Sequence, residues 1–255
     1  MPSEAKAREV ARVGITNADS GTRIDEIADG VYRISTPIPP SDFPGGFTFN
    51  QFLIDDDEPL LFHTGLRQMF PLVREAIGTV LAPESLRYVA FSHVEADECG
   101  ALNDFLKVAP RAEVLCGTVA ADVSVRDLAD RPPRALDDGD EVSLGRHTVR
   151  WLYTPHVPHA WECGYYYEAT TRTLFCGDLF TQAGHEHVPI TEEDILGSSE
   201  AMRVQMDYYS HSPDTGALIE KLAATEPTTL GCMHGASFRG DGGHLLRELR
   251  RALDA

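Results

Sequence analysis

One segment concentrates side chains that can bind a metal or move a proton: Phe91-Ser-His-Val-Glu-Ala-Asp-Glu-Cys-Gly100. It follows directly on the apolar stretch from Leu86 to Phe91, and strand ends are where α/β proteins place their chemistry. His93, Glu95 and Asp97 alternate, so an extended turn can present all three to one point, and Glu98 adds a fourth candidate before a helix starts. The bland account is a solvated helix N-terminus, where acids are favoured by the helix dipole and by capping. That account covers Asp97 and Glu98 but neither His93 nor Glu95.

Three later segments each place one or two further candidates after or beside an apolar strand: Tyr153-Thr-Pro-His-Val-Pro-His-Ala-Trp-Glu162, Leu174-Phe-Cys-Gly-Asp-Leu-Phe180 and Leu230-Gly-Cys-Met-His-Gly-Ala236. Singly, each reads as ordinary structure, because a lone histidine is usually a surface or hydrogen-bonded core residue and Gly-Asp after a strand is usually a turn. Jointly, His-x-Glu-x-Asp, then His, then Gly-Asp, then His-Gly, each at a strand-to-loop boundary, predicts a dinuclear metal site. Gly184-His-Glu-His187 reads as a pocket rim, and Cys99 and Cys232 as small residues packed behind ligand loops.

The elements that must position these residues alternate along the chain. Residues 1–22 are polar and unpatterned and read as an arm, and 23–255 as a single domain. Strand-like text covers Arg23 to Thr36, Thr48 to Ile54 and Pro59 to His63, an antiparallel opening. Helical patterns then alternate with short strands: helix Gln68 to Leu81, strand Leu86 to Phe91, helix Glu98 to Val108, strand Glu113 to Cys116, helix Val119 to Leu128. A second β block follows, with Glu141 to Leu144, Thr148 to Tyr153, Gly164 to Glu168 and Thr173 to Cys176. Helices Glu192 to Tyr209 and Thr215 to Ala224, strand Thr228 to Cys232 and a helix from His244 close the chain. Two β–α halves with no repeat or linker predict an α/β protein built as a four-layer sandwich, helices outside and two sheets face to face.

Composition excludes several partners. The 255 residues carry 22 Lys plus Arg against 40 Asp plus Glu, a formal charge of −18. Such a field repels phosphate backbones and anionic headgroups, so neither nucleic acid nor a membrane surface is expected. The Arg247 to Arg251 stretch has apolar residues at helical spacing and reads as a docked surface helix. No signal peptide and no run of spanning length is read, and five scattered cysteines without a C-x-x-C pair fit reduced thiols; a cytoplasmic protein is expected. A homodimer is the base-rate expectation.

These residues resemble the metallo-β-lactamase fold, and within it the diiron branch of flavodiiron proteins and their shorter relatives, the oxygen-binding diiron proteins. The resemblance runs from about Ile24 to Arg239 through the strand pair before His63, the His-x-Glu-x-Asp segment and the Tyr208-Tyr209 helix before the last strand. Most hydrolases of the fold carry His-x-His-x-Asp-His, so Glu95 in place of the second histidine favours the diiron branch. The resemblance implies that His93, Glu95 and His159 bind one metal, that Asp97 and His234 bind the other, and that Asp178 bridges them. His159 is preferred to His156 because Trp161-Glu162 after it fits the family segment, which makes His156 an outer or pocket-wall residue. Glu98 stands where many relatives have histidine and reads as a seventh ligand, an outer acceptor or a helix-start acid, with the outer position favoured. His63 stands where Asp commonly precedes Thr-Gly and reads as a hydrogen-bonding group at the sheet end. Tyr208 and Tyr209 resemble a tyrosine pair beside the metals and are the catalytic candidates, one of them facing the pocket.

Three imidazoles and three carboxylates without a thiolate suit iron or manganese, while zinc tolerates such a site and is favoured by raw affinity. The implied cofactor is two iron ions bridged by carboxylate and by oxo or hydroxo, with zinc or manganese as alternatives. A flavodiiron protein appends a flavodoxin domain, and none is read after His234, so no flavin is expected. A four-cysteine rubredoxin module is also absent, and electrons are expected from an external donor. The function expected is a non-haem diiron protein that binds, and slowly reduces, dioxygen as an oxygen or redox sensor or as an oxidoreductase. Its partners would be dioxygen or another small molecule and an external redox or signalling protein. The alternative is a dinuclear-metal hydrolase of an ester, lactone or thioester, and a third class is a binding module whose metals only fix the loops.

Overall fold

The computed structural model describes residues 14–254. Most of the polar arm, residues 1–13, lies outside the described residues. Its remainder folds back on the first strand, with Ile15 bridging Arg23 and the Thr16 and Asn17 amides donating to the Thr22 carbonyl.

Among the described residues the chain forms two seven-stranded sheets. The first contains β1 (Arg23–Ala28), β2 (Val31–Ile38), β3 (Phe47–Ile54), β4 (Leu60–Phe62), β5 (Tyr88–Ala90), β6 (Glu113–Gly117) and β7 (Arg134–Leu136), in that spatial order. β1 to β4 are antiparallel neighbours and β4 to β7 are parallel. The second contains β8 (Glu141–Ser143), β9 (Thr148–Tyr153), β10 (Gly164–Glu168), β11 (Thr173–Gly177), β12 (Ile190–Thr191), β13 (Thr229–Cys232) and β14 (Ser237–Arg239). Its order is β12-β14-β13-β11-β10-β9-β8.

Side chains of successive strand residues point to opposite faces, and here both faces are buried, which explains the near-continuous apolar runs. Phe52, Phe62, Trp151, Tyr166 and Phe175 fill the space between the sheets. Leu53, Leu61, Val89 and Val114, one position out of phase, meet helices Phe70–Ile77 and Leu102–Val108 and the helical stretch 118–128 on the outer face. On the other side, Tyr165, Leu174, Cys176 and Leu230 pack against helices Thr215–Ala223 and Gly242–Leu253. The layers are therefore helix, sheet, sheet, helix, the αββα sandwich expected. None of these helices is long and apolar enough to cross a membrane.

Several boundaries differ from the sequence reading for identifiable reasons. The first predicted strand is a hairpin turned at Asp29-Gly30, where Gly30 has φ 67°. The predicted helix Glu98 to Val108 is two pieces, Ala96–Cys99 and Leu102–Val108, because the Ala101 amide bonds the Gly65 carbonyl instead of continuing the helix. The helix expected to reach Tyr209 stops at Met206, where Asp207 turns left-handed at φ 49°. β7, β12 and β14, two or three residues each, were too short to show a period. β9, β11 and β13 run in one direction in the second sheet, and the loops after them meet the loop after β5 of the first at one edge of the sandwich.

Candidate metal centre

The four loops bring the predicted ligands to one point. His93 follows β5, His159 lies in the loop after β9, Asp178 follows β11 and His234 follows β13. The bend that aims Asp178 is a bulge at Gly177, φ 48°, where a Cβ would sit 3.0 Å from Ser92 Oγ. Gly235, φ 95°, makes the corresponding turn after His234.

His93 Nε2 and His159 Nε2 face each other at 3.0 Å, and Glu95 Oε2 lies 3.1 Å from the first and 3.2 Å from the second. Asp178 Oδ2 is 3.6 Å from His93 Nε2 and 3.3 Å from His159 Nε2, while its Oδ1 is 3.3 Å from His234 Nε2. Asp97 Oδ2 lies 3.5 Å from the same His234 nitrogen. The two oxygens of Asp178 thus face two different groups, His93, Glu95 and His159 on one flank, Asp97 and His234 on the other.

The donor set tests whether a metal pair fits. His159 Nδ1 is 3.1 Å from the Tyr208 carbonyl and His234 Nδ1 is 2.7 Å from the Thr48 carbonyl. A carbonyl only accepts, so each Nδ1 carries the proton, and in the neutral imidazole Nε2 is left with a lone pair directed at the cluster. His159 Nε2 presents its lone pair to His93 Nε2 at 3.0 Å, a separation at which the two nitrogens share either a proton or a cation. Asp178 Oδ1, buried, makes no hydrogen bond. The residues fit a pair of divalent metals.

The electrostatics agree. Burial opposes charge on His93, yet Glu98, Glu95 and Asp178 hold its pKa well above the usual histidine value. Asp178 is also buried, and His234, His93 and His159 nevertheless hold it below the usual carboxylate range. His159, then His93, lower Glu95 to about 2 against the effect of burial. Burial, then Asp178, raise Glu98 well above the ordinary glutamate value.

The remaining candidates fall in definite places. Glu98 is fully buried with neither oxygen hydrogen-bonded, so it is not a solvated helix-start acid. His63 Nε2 lies 3.0 Å from Ser92 Oγ, which in turn lies 2.9 Å from His93 Nδ1, so His63 is the sheet-end hydrogen-bonding group expected. His156 is exposed, and its carbonyl accepts from the Ser210 hydroxyl. Tyr208 lines the cavity and donates to the Asp178 carbonyl at 3.0 Å. Tyr209 is not in the cavity wall: it packs in the outer core, its ring 5.0 Å from that of Tyr208. Of the two tyrosine candidates only Tyr208 faces the cavity, because the chain leaves the helix at Asp207 and successive side chains diverge. His185 borders a separate cavity with Ser20 and Asp42, and His187 Nε2 lies 3.1 Å from the Ala183 carbonyl.

Several residues at the site were not anticipated. Thr48 holds the His234 loop through its carbonyl and through its hydroxyl, which accepts from the Gly235 amide at 2.7 Å. Asn50 donates to the Cys232 and Gly235 carbonyls, and the buried Arg33 donates to Gly235 as well. Phe47 stacks on the His234 ring at 4.2 Å. Phe43, Phe49, Leu66, Met202 and Met206 join it around a cavity of about 420 Å³ above the cluster. The signal available for these was the aromatic alternation of Phe47-Thr-Phe49 after Gly45-Gly46.

An αββα sandwich carrying a carboxylate-rich candidate metal site at one sheet edge defines a protein of the metallo-β-lactamase fold, diiron branch. A family model described as ODP family beta lactamase matches residues 47–235, and the chain belongs to that family. It is similar to rubredoxin-oxygen oxidoreductase of Megalodesulfovibrio gigas, 26% identical over 213 residues, covering 77% of this chain and 50% of that protein. It is also similar to nitric oxide reductase of Moorella thermoacetica, 24% identical over 215 residues, covering 81% of this chain and 53% of the relative. The chain spans about half the length, or less, of the curated relatives it matches. Among solved structures, rubredoxin oxygen:oxidoreductase from Desulfovibrio gigas superposes with TM-score 0.77 at 21% identity, over 91% of this chain and 61% of the other. A flavo di-iron protein variant from Thermotoga maritima gives 0.78 at 16%, over 90% and 60%. At these identities the superpositions carry the fold.

Proposed function

We propose that this chain is a non-haem diiron oxidoreductase unit that binds dioxygen and reduces it slowly with electrons from an external donor. The observation that carries the reading is the pair of imidazole nitrogens of His93 and His159 facing each other at 3.0 Å between Glu95 and Asp178. Relatives named as an oxygen oxidoreductase and a nitric oxide reductase support the reaction class. The ligand set is His93, Glu95 and His159 for one iron, Asp97 and His234 for the other, and Asp178 for both. Bound iron would supply the electrons that a small oxidant accepts. The protein does the rest. Glu95, Asp97 and Asp178 offset three of the four charges of a divalent pair, and the Thr48 and Tyr208 carbonyls orient two imidazoles. Phe43, Phe47, Phe49, Leu66, Met202 and Met206 keep the approach dry. Tyr208 holds the Asp178 peptide in place. Five free cysteines suit a reducing, cytoplasmic setting.

Metal content and the optical spectrum test this on protein reduced without oxygen and then exposed to air. Two irons per chain and a visible charge-transfer band that appears with air and fades on re-reduction are expected. Two zincs after iron-supplemented expression, with no response to air, would overturn it. One observation favours the hydrolytic alternative: a cavity of about 420 Å³ is much larger than dioxygen needs. Turnover of esters, lactones or thioesters by zinc-loaded protein, with no oxygen consumption by iron-loaded protein, would replace the first reading with the second.

A further inference from the structure

The two flanks of Asp178 are unequally furnished. On the Oδ2 flank stand His93, Glu95 and His159, and on the Oδ1 flank only Asp97 and His234. The missing donor has a candidate in Glu98. Its side chain is fully buried, neither oxygen has a hydrogen-bond partner, and Oε2 lies 4.0 Å from His93 Nε2. Ligand atoms of Glu95, Asp97 and Glu98 all lie within 4.8 Å of one another, a second convergence point beside that of His93, Glu95, His159 and Asp178. The backbone holds Glu98 there, its carbonyl accepting the Thr64 amide at 2.7 Å. A carboxylate removed from water with no donor near either oxygen is strongly disfavoured unless it takes up a proton or a cation meets it.

We infer that Glu98 is a fourth carboxylate of the metal pair, converging on it beside Glu95 and Asp97. The inference rests on the dinuclear reading above and deepens it. Glu95, Asp97, Glu98 and Asp178 together carry four negative charges, which balance two divalent cations. Four carboxylates against three imidazoles also harden the donor set, which suits ferrous or manganous ions rather than a thiophilic metal.

Anaerobic titration of metal-free protein with Fe(II) tests this, using the parent chain, Glu98→Gln, Glu98→Ala and Glu98→His. The parent is expected to bind two equivalents. Glu98→Gln and Glu98→Ala are expected to keep the first and weaken the second by at least the ~10- to 100-fold that loss of even an outer partner of a metal ligand costs. Glu98→His, which restores a donor atom, is expected to recover the second equivalent. Melting of the same proteins separates ligation from folding. Without metal, Glu98→Gln should melt no lower than the parent, since it removes an unpaired buried acid, whereas with metal it should melt lower. A residue that merely packs would move both melts in one direction. Two equivalents bound by Glu98→Gln and Glu98→Ala with the parent's affinities would overturn the inference while leaving the proposed function intact. A parent chain that binds no iron would overturn the proposed function and this inference together.

Discussion

The two ends of β11 hold the same residue types and put them to opposite use. At its start, Glu168 of the neighbouring β10 is fully buried beside His147, whose Nδ1 lies 3.2 Å from Oε1. The Glu168 oxygens are met by the amides of Thr170 and Thr171, each at 2.7 Å, and by the Thr171 hydroxyl. At its end, Asp178 sits among three imidazoles with Oδ1 unbonded, and neither side-chain oxygen of Glu98 nearby has a hydrogen-bond partner. A buried carboxylate beside a histidine is therefore not a signature of chemistry. What distinguishes the two carboxylates is satisfaction: protein donors meet both Glu168 oxygens, whereas the open Asp178 oxygen would be met by a cation under the dinuclear reading.

The largest effect that would break this contrast is on metal content. Asp178→Ala should drop bound metal from two equivalents to fewer than one, measured by elemental analysis after iron loading, because both flanks lose a shared donor. Glu168→Ala should leave the metal count unchanged and lower stability by about 3 to 5 kcal/mol, the cost of breaking a buried pair by removing one partner. Denaturant titration checks the second half. Chelation comes next. If metal binds the folded chain alone, stripping it should lower stability by about 4 kcal/mol when free metal had stood at a thousand times Kd. Calorimetry with and without chelator should give the same metal-dependent shift in the parent and in Glu168→Ala.

The contrast was half visible before any coordinates. His93, Asp178 and His234 were legible because each follows a short apolar strand, and the parallel β11 and β13 must deliver their ends to one edge. His159 was separable from His156 only through the resemblance, since nothing in Thr154-Pro-His-Val-Pro-His tells which ring turns inward. Glu98 could be read only as one of three roles, ligand, outer acceptor or helix-start acid, because an acid in a first helical turn looks alike whether solvated or buried. Its burial follows from the Thr64 amide bonding its carbonyl and from the helix break at Gly100-Ala101, both long-range facts. The clamp on His234 from Thr48, Asn50 and Arg33 was hidden for the same reason, with partners separated by most of the chain.

A smaller effect sharpens the comparison through pH. Burial works against ionisation of Glu168, but His147, Thr171 and Thr170 lower its pKa to about 2 from the ordinary 4.5. A carboxyl depressed on folding contributes stability that is full above its unfolded pKa and is lost as pH falls toward the folded value. The stability gap between the parent and Glu168→Gln, both metal-free, should be constant above about pH 5. It should shrink steadily as pH falls from 4.5 toward 2. Denaturant midpoints across that range measure it, and a gap that stays constant to pH 3 would mean that the Glu168 cluster does not hold a charge.

The smallest effect belongs to the tyrosines, and it distinguishes an anchor at the site from ordinary core. Tyr208 donates 3.0 Å to the Asp178 carbonyl and lines the cavity, whereas Tyr209 lies in the outer core beneath Arg203, 5.9 Å from its ring. Tyr208→Phe removes one hydrogen bond and should cost about 0.5 to 1.5 kcal/mol. Because the lost bond fixes the peptide that carries the bridging carboxylate, the change should also be felt in the iron-loaded protein, as a shift in the charge-transfer band with two irons still bound. Tyr209→Phe should leave that band where it is. A band that moves for Tyr209→Phe and not for Tyr208→Phe would reverse the assignment, and with it the placement of Tyr208 as the tyrosine at the metal edge.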